Sequence, residues 1–210
     1  PIPADVAALF AEIFESRGHA VFAPEDFRGR PVPEDRRDVV KAKDFPSPVE
    51  TCLAFLAHCF KACRGLVPGP NTLAFVGAHL ADGKWFRYYY GTWLLRAGRR
   101  EEAIAPLAAV ARAKPNEAWA WQGLADAFAA DPAKRRACLC RALVCPARFP
   151  KIAEPFAARL HAQLAELLER DGQTESAARE RDYARAEHPL PGDQDFYARY
   201  AQAAAALVSA

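Results

Sequence analysis

No apolar run in the chain reaches the roughly 20 residues a membrane-spanning helix needs, because Arg, Asp or Lys interrupts each one. No transmembrane helix is expected. Runs that alternate apolar and polar residues between turn signals are nearly absent as well, which excludes a strand-rich fold. Charge of one sign is also missing: Lys and Arg number 28 against 26 Asp and Glu, for a net +2. No basic excess points to nucleic acid, although a folded groove can concentrate charge that totals hide. The opening Pro1-Ile2-Pro3-Ala4-Asp5 has no initiator Met, basic segment or apolar segment of a secretory signal. It reads as the start of a trimmed chain or of an excised domain, with the cytoplasm as the expected location.

Motifs that carry chemistry are missing too. The histidines, at positions 19, 58, 79, 161 and 188, form no His-Glu-x-x-His pattern, and Gly65 to Gly69 lacks the Lys-Ser/Thr ending of a phosphate loop. No catalytic residue is nominated, and no enzyme is expected. Six cysteines contain no Cys-x-x-Cys pair. Cys59 and Cys63 lie four apart beside His58, whereas Cys138 and Cys140 would point to different sides of a helix. Zinc needs four ligands at tetrahedral distance, so these thiols are expected to be reduced and packed as small apolar groups, with no metal or cofactor.

What is present is a folded, helical composition, 51% hydrophobic and 26% charged, long enough to bury a sizeable core. The expectation is an all-α fold. Asp5 is a candidate cap for a first helix to about Arg17, with Val6, Leu9, Phe10, Ile13 and Phe14 at helical spacing and Gly18 as the stop. Prolines at 24, 31, 33, 46 and 48 then imply a long loop from about 19 to 48, with a helical turn at Glu34 to Lys43. Ser47-Pro48-Val49-Glu50 combines a cap, a first-turn proline and the Glu of a capping box. A helix from Pro48 to about Arg64 follows, with Val49, Leu53, Leu56 and Phe60 inward. Asn71 can cap a further short helix through Leu73, Phe75, Val76 and Leu80.

After Gly83 the chain repeats itself: Ala103 follows Gly98, and Ala177 follows Gly172, at the same offset. Tyr90-Gly91, Leu94, Gly98, Ala103, Leu107, Val110 and Pro115 occupy the positions where the tetratricopeptide repeat alternates large and small residues. The segment resembles that family over a unit of about 34 residues. A second unit keeps register through Trp121, Leu124, Ala125 and Phe128, but turns at Ala130-Asp131-Pro132-Ala133 without glycine. A third resembles the pattern through Leu164-Ala165, Leu168, Gly172, Ala177, Ala184 and Pro189, delayed by an apparent insertion at 148–155. The organisation expected is a helical region over 1–83, repeat units at about 84–117, 118–157 and 158–191, and a closing helix through Phe196, Tyr200, Ala203 and Leu207. A generic bundle of α-α hairpins is the alternative. Cys138-Leu139-Cys140-Arg141-Ala142-Leu143 also resembles a bacterial tetratricopeptide subgroup associated with RNA-binding cold-shock-like modules; this covers one helix and carries no functional residue across.

The repeat resemblance implies a concave groove for a protein or peptide partner, lined by Trp85, Tyr88, Tyr89, Thr92, Trp119, Gln122, Asp126, Arg159, Gln163 and Glu166. Large aromatics give contact area at low conformational cost. The competing reading packs Trp85, Phe86, Tyr88, Tyr89, Tyr90 and Trp93 against the 71–83 helix. Tyr88 and Thr92 stand where a carboxylate-clamping repeat needs Lys and Asn, which argues against a terminal carboxylate as ligand. Two other readings compete with a protein scaffold. Aromatic and basic residues interleaved over Lys84 to Arg100 suit an RNA- or nucleotide-associated accessory domain of a larger bacterial protein, stacking on single strands, and Leu207 with Val208 suits a homodimer. The runs Arg99-Arg100-Glu101-Glu102 and Arg179-Glu180-Arg181-Asp182 are expected to be solvated faces with local ion pairs.

Overall fold

The computed structural model describes residues 2–34, 44–81, 85–145, 150–186 and 192–209. The fold is all-α. Among the described residues the strands are a two-residue antiparallel ladder, β1 (Arg30–Pro31) against β2 (Asp44–Phe45). Most of the helical turn expected at 34–43 lies outside the described residues, as do Asp82-Gly83-Lys84, Pro146, Arg148, His188 and Pro189. The chain divides into two compact units, Pro1–Arg99 and Arg100–Ala210.

In the first unit, α1 (Ala4–Arg17) begins after Pro3 and has no side-chain cap, so Asp5 lies inside the first turn instead of capping it. A carboxylate there still suits the positive end of the helix. Gly18 does not stop α1 with a left-handed turn; its φ of −58° carries the chain on into a 3-10 turn over Gly18–Ala20. Helix α2 (Pro48–Ala62) opens on the expected capping box: Glu50 N–H donates to Ser47 Oγ at 3.1 Å and Ser47 N–H to Glu50 Oε2 at 3.2 Å. Val49, Leu53, Leu56 and Phe60 are buried as the spacing requires. Helix α3 (Pro70–Ala78) starts differently from expectation, because Gly69 is at the cap position and Asn71 is inside. The cap is Glu15 of α1, whose carboxylate accepts the N–H groups of Asn71 at 2.8 Å and Thr72 at 2.9 Å. A carboxylate brought in by tertiary packing thus satisfies orphan donors that no local side chain meets.

Helix α4 (Phe86–Arg96) packs on α2 and α3. Trp93 meets Phe60 edge-on with centroids 5.1 Å apart, and the Arg96 guanidinium donates to the Cys63 and Leu66 carbonyls. These contacts attach α4 to the first unit, so the division falls at 99/100 and not at the 83/84 boundary expected from the sequence.

The second unit holds α5 (Arg100–Ala113), α6 (Ala118–Ala127), α7 (Pro132–Leu143), α8 (Pro150–Arg170), α9 (Thr174–Arg185) and α10 (Gln194–Ala206). Helix α5 packs on α6, α6 on α7, α7 on α8, α8 on α9, and α10 returns to α7. The two matched glycines end their helices alike. Gly98 and Gly172 have φ of 78° and 74°, and the next residue's N–H reaches back to Leu94 O at 2.9 Å and to Leu168 O at 2.8 Å. This is the left-handed Schellman ending, in which glycine avoids a Cβ penalty. The α6–α7 turn lacks glycine, and Asp131 there caps α7 by accepting Lys134 N–H at 3.1 Å. The insertion expected at 148–155 is helical from Pro150 onward, so α8 is 21 residues long with Pro155 inside it.

Helix α7 is covered on several sides. Ala137, Cys138, Leu139 and Cys140 are all buried, and four consecutive helical residues point nearly all the way round the axis. Cys138 and Cys140 do face different sides, and both sides are packed. Burial pushes each thiol up to about 12.

Candidate functional site

Six of the ten groove residues expected from the sequence belong to the second unit. On α6, Trp121, Leu124 and Ala125 face the core, which leaves Trp119, Gln122 and Asp126 along another side at three-to-four spacing. On α8, Arg159, Gln163 and Glu166 have the same spacing. The structure joins the two rows at Asp126, which interacts with Gln163 and feels the charges of Arg159 and of Arg135 of α7. Trp119 is half-buried, and its indole N–H donates to Glu117 at 3.2 Å. Arg159 and Glu166 are exposed. Gln163 Oε1 and Arg135 Nε are buried without a hydrogen-bond partner, so this junction holds an acceptor and a donor that are unfilled.

Burial raises the Asp126 carboxyl above its ordinary 3.8, outweighing the opposing effects of Arg135, Arg159 and the Gln163 hydrogen bond. The folded form therefore binds this proton more readily than the unfolded chain, and the contribution of Asp126 to stability falls as pH rises from 3.8 through the raised value. Asp126→Asn is expected to remove that downward component from a melting-temperature profile across acid pH. An unchanged profile would show that the carboxyl titrates alike in both states.

The other four groove residues belong to α4 and the turn before it, in the first unit. Trp85 is 37% exposed and meets Tyr88 edge-on at 6.4 Å. Tyr89 stacks on Trp93 at 5.7 Å, and burial above all raises its phenol. Thr92 donates its hydroxyl back to the Tyr88 and Tyr89 carbonyls at 2.9 and 3.1 Å, so that proton is used within the helix. Phe86 and Trp93 are core residues. The aromatic run is thus divided, with two rings buried and Trp85 at the surface.

One constellation was not legible in the sequence. His161 of α8, Glu180 of α9 and Tyr197 of α10 are 4%, 3% and 0% exposed. His161 Nδ1 lies 2.8 Å from Glu180 Oε2, and the Tyr197 hydroxyl donates to Glu180 Oε1 at 2.7 Å. Burial, then the Glu180 hydrogen bond and charge, raise the Tyr197 phenol, which stays protonated as the donor. This corrects the solvated face expected at 179–182: Glu180 is interior, and Arg181 pairs across to Glu169 of α8. The available signal was register, since Glu180 falls three residues after buried Ala177, on the inward stripe of α9. Gly192, with φ 64°, comes so close to the Tyr197 ring that a Cβ there would lie 2.2 Å from its hydroxyl oxygen.

Among the described residues no group of three or more His, Cys, Asp and Glu side chains is placed to hold a metal ion, and no helix is long and apolar enough to cross a membrane. Residues 84–189 match the family model described as a domain of unknown function, DUF7017. No curated protein and no solved structure matches the chain.

Proposed function

The chain belongs to the DUF7017 family, and we propose that it works as a non-enzymatic interaction scaffold, a degenerate tetratricopeptide-like array that binds a peptide or partner domain along its α6 and α8 face. The observation that carries this reading is the junction at Asp126. There, Asp126 of α6 interacts with Gln163 of α8, a non-consecutive helix, in the field of the exposed Arg159, and the Gln163 acceptor is unfilled. The left-handed ending at Gly172, after which α9 packs back on α8, supports a helical hairpin as a unit that builds the face. All six cysteines are free thiols, which suits a cytoplasmic setting.

Trp and Arg are the residue types that most often dominate an interface, so Trp119 and Arg159 are the side chains to remove. A partner captured on the wild-type chain is expected to bind Trp119→Ala/Arg159→Ala at least about tenfold more weakly, a loss of ~1.4 kcal/mol. The helical circular-dichroism signal should be unchanged. Equal affinity for both chains would sink the assignment of this face.

A further inference from the structure

Helix α1 is apolar over more of its surface than its own unit buries. Ala7, Ala11 and Phe14 face the core, whereas Val6, Leu9 and Ile13 are 45%, 58% and 53% exposed. Those three recur at i, i+3 and i+7, the spacing of a second helical face beside the first. At the border of the two faces Phe10 meets Phe55 of α2 edge-on, with centroids 4.7 Å apart, and Phe55 is itself exposed. The result is a continuous apolar patch across α1 and α2. Apolar residues scattered singly over a surface need no partner; a contiguous patch does.

The charges on α1 indicate what covers it. Asp5, Leu9, Ile13 and Arg17 stand four residues apart, on a single i±4 ridge of the helix. This ridge begins with a carboxylate, carries two branched apolar side chains and ends with a guanidinium. Both charged residues are exposed, and among the described residues neither has an ion-pair partner. Turned end for end, the ridge is its own complement. About a two-fold axis at the level of Ala11, Leu9 meets Ile13 of a second copy and Asp5 meets its Arg17, each contact occurring twice, as a closed two-fold interface requires. Parallel pairing would instead set Asp5 against Asp5 and Arg17 against Arg17. A lipid surface fits poorly, because helices that lie on anionic lipid are rich in Lys and Arg on their polar side, and Arg17 is the one basic residue of α1. We propose that α1 is a homodimerisation element, packing antiparallel on α1 of a second copy through Val6, Leu9, Phe10 and Ile13, with Asp5 and Arg17 paired at both ends. This surface belongs to the Pro1–Arg99 unit and is distinct from the Leu207 and Val208 edge that the sequence suggested for a dimer.

One face of a 14-residue helix is small beside the ~800 Å² per partner of a standard interface, so association is weak, with a Kd on the order of 10 µM. Sedimentation equilibrium of the whole chain, over concentrations about twentyfold either side of that value, is expected to show one chain passing to two. Leu9→Ser/Ile13→Ser should stay a single chain throughout, with its helical circular-dichroism signal unchanged because both side chains are more than half exposed. Asp5→Arg and Arg17→Asp each bring like charges together at both ends, and each should weaken self-association about tenfold at low salt. An equimolar mixture of those two variants should dimerise as the wild type does, since opposite charges then meet again. A wild-type chain that stays single throughout, a dimer that survives Leu9→Ser/Ile13→Ser, charge reversals that weaken nothing singly, or a mixture that fails to restore association would overturn the proposal.

Discussion

Replacing Trp121 with alanine is expected to destabilise the Arg100–Ala210 unit by about 3–5 kcal/mol, the range for emptying a packed aromatic site. The ring is 2% exposed, and its indole N–H donates to the Pro115 carbonyl at 2.8 Å. Arg141 of α7 lies over the same ring with its guanidinium carbon 5.5 Å from the centroid, and it donates to the same carbonyl at 2.7 Å. One side chain thus fixes the turn between α5 and α6 and joins it to α7. Alanine would leave a cavity, remove the indole donor from the Pro115 carbonyl and end a cation–π contact worth roughly 0.5–2 kcal/mol. Trp121→Phe separates these effects, since it keeps most of the filling and loses the hydrogen bond, at about 1 kcal/mol for the bond itself. Urea titration checks both, read as a fall in midpoint at constant slope. A cost below about 1.5 kcal/mol for alanine would mean that the cavity collapses and the α5–α6 turn is held elsewhere.

Trp121 belongs to a helix that apolar spacing indicated, for a reason that applies to much of the fold. Apolar spacing on one helix is local information, and so are the Ser47 capping box and the glycines at 98 and 172. Each is decided by a few neighbouring residues. The features that escaped were decided by residues far along the chain. Asn71 looked like a cap because it begins an apolar run, but Glu15, 56 positions earlier, supplies the carboxylate. The 99/100 division depends on α4 packing against α2 and α3. At the candidate site, the helical rows of Trp119, Gln122 and Asp126, and of Arg159, Gln163 and Glu166, could be written from spacing. Their meeting at Asp126, and the entry of Arg135 from α7, could not. Charge was the most misleading guide: Glu180 is within a run of four charged residues, and only its register with Ala177 distinguishes it from a solvated side chain.

Glu180→Ala is expected to cost about 3–5 kcal/mol, the range for breaking a buried pair by removing one partner. His161 Nδ1 and the Tyr197 hydroxyl would both lose their short partner inside the protein, 2.8 and 2.7 Å away in the native fold, and a cavity would open between α8, α9 and α10. Replacing all three with apolar groups of similar volume, as in His161→Leu/Glu180→Met/Tyr197→Phe, should recover most of that loss or exceed the wild type, because no desolvated charge remains to be satisfied. The large cost of the single change and the small cost of the triple change would show a coupled network, with interaction energies well above the additive expectation. Equal destabilisation by both would instead mean that the trio contributes net stability through its hydrogen bonds. The first outcome carries a structural meaning: a buried carboxylate that adds little net stability, yet is costly to leave half-paired, acts by holding α8, α9 and α10 in the one packing that satisfies all three groups.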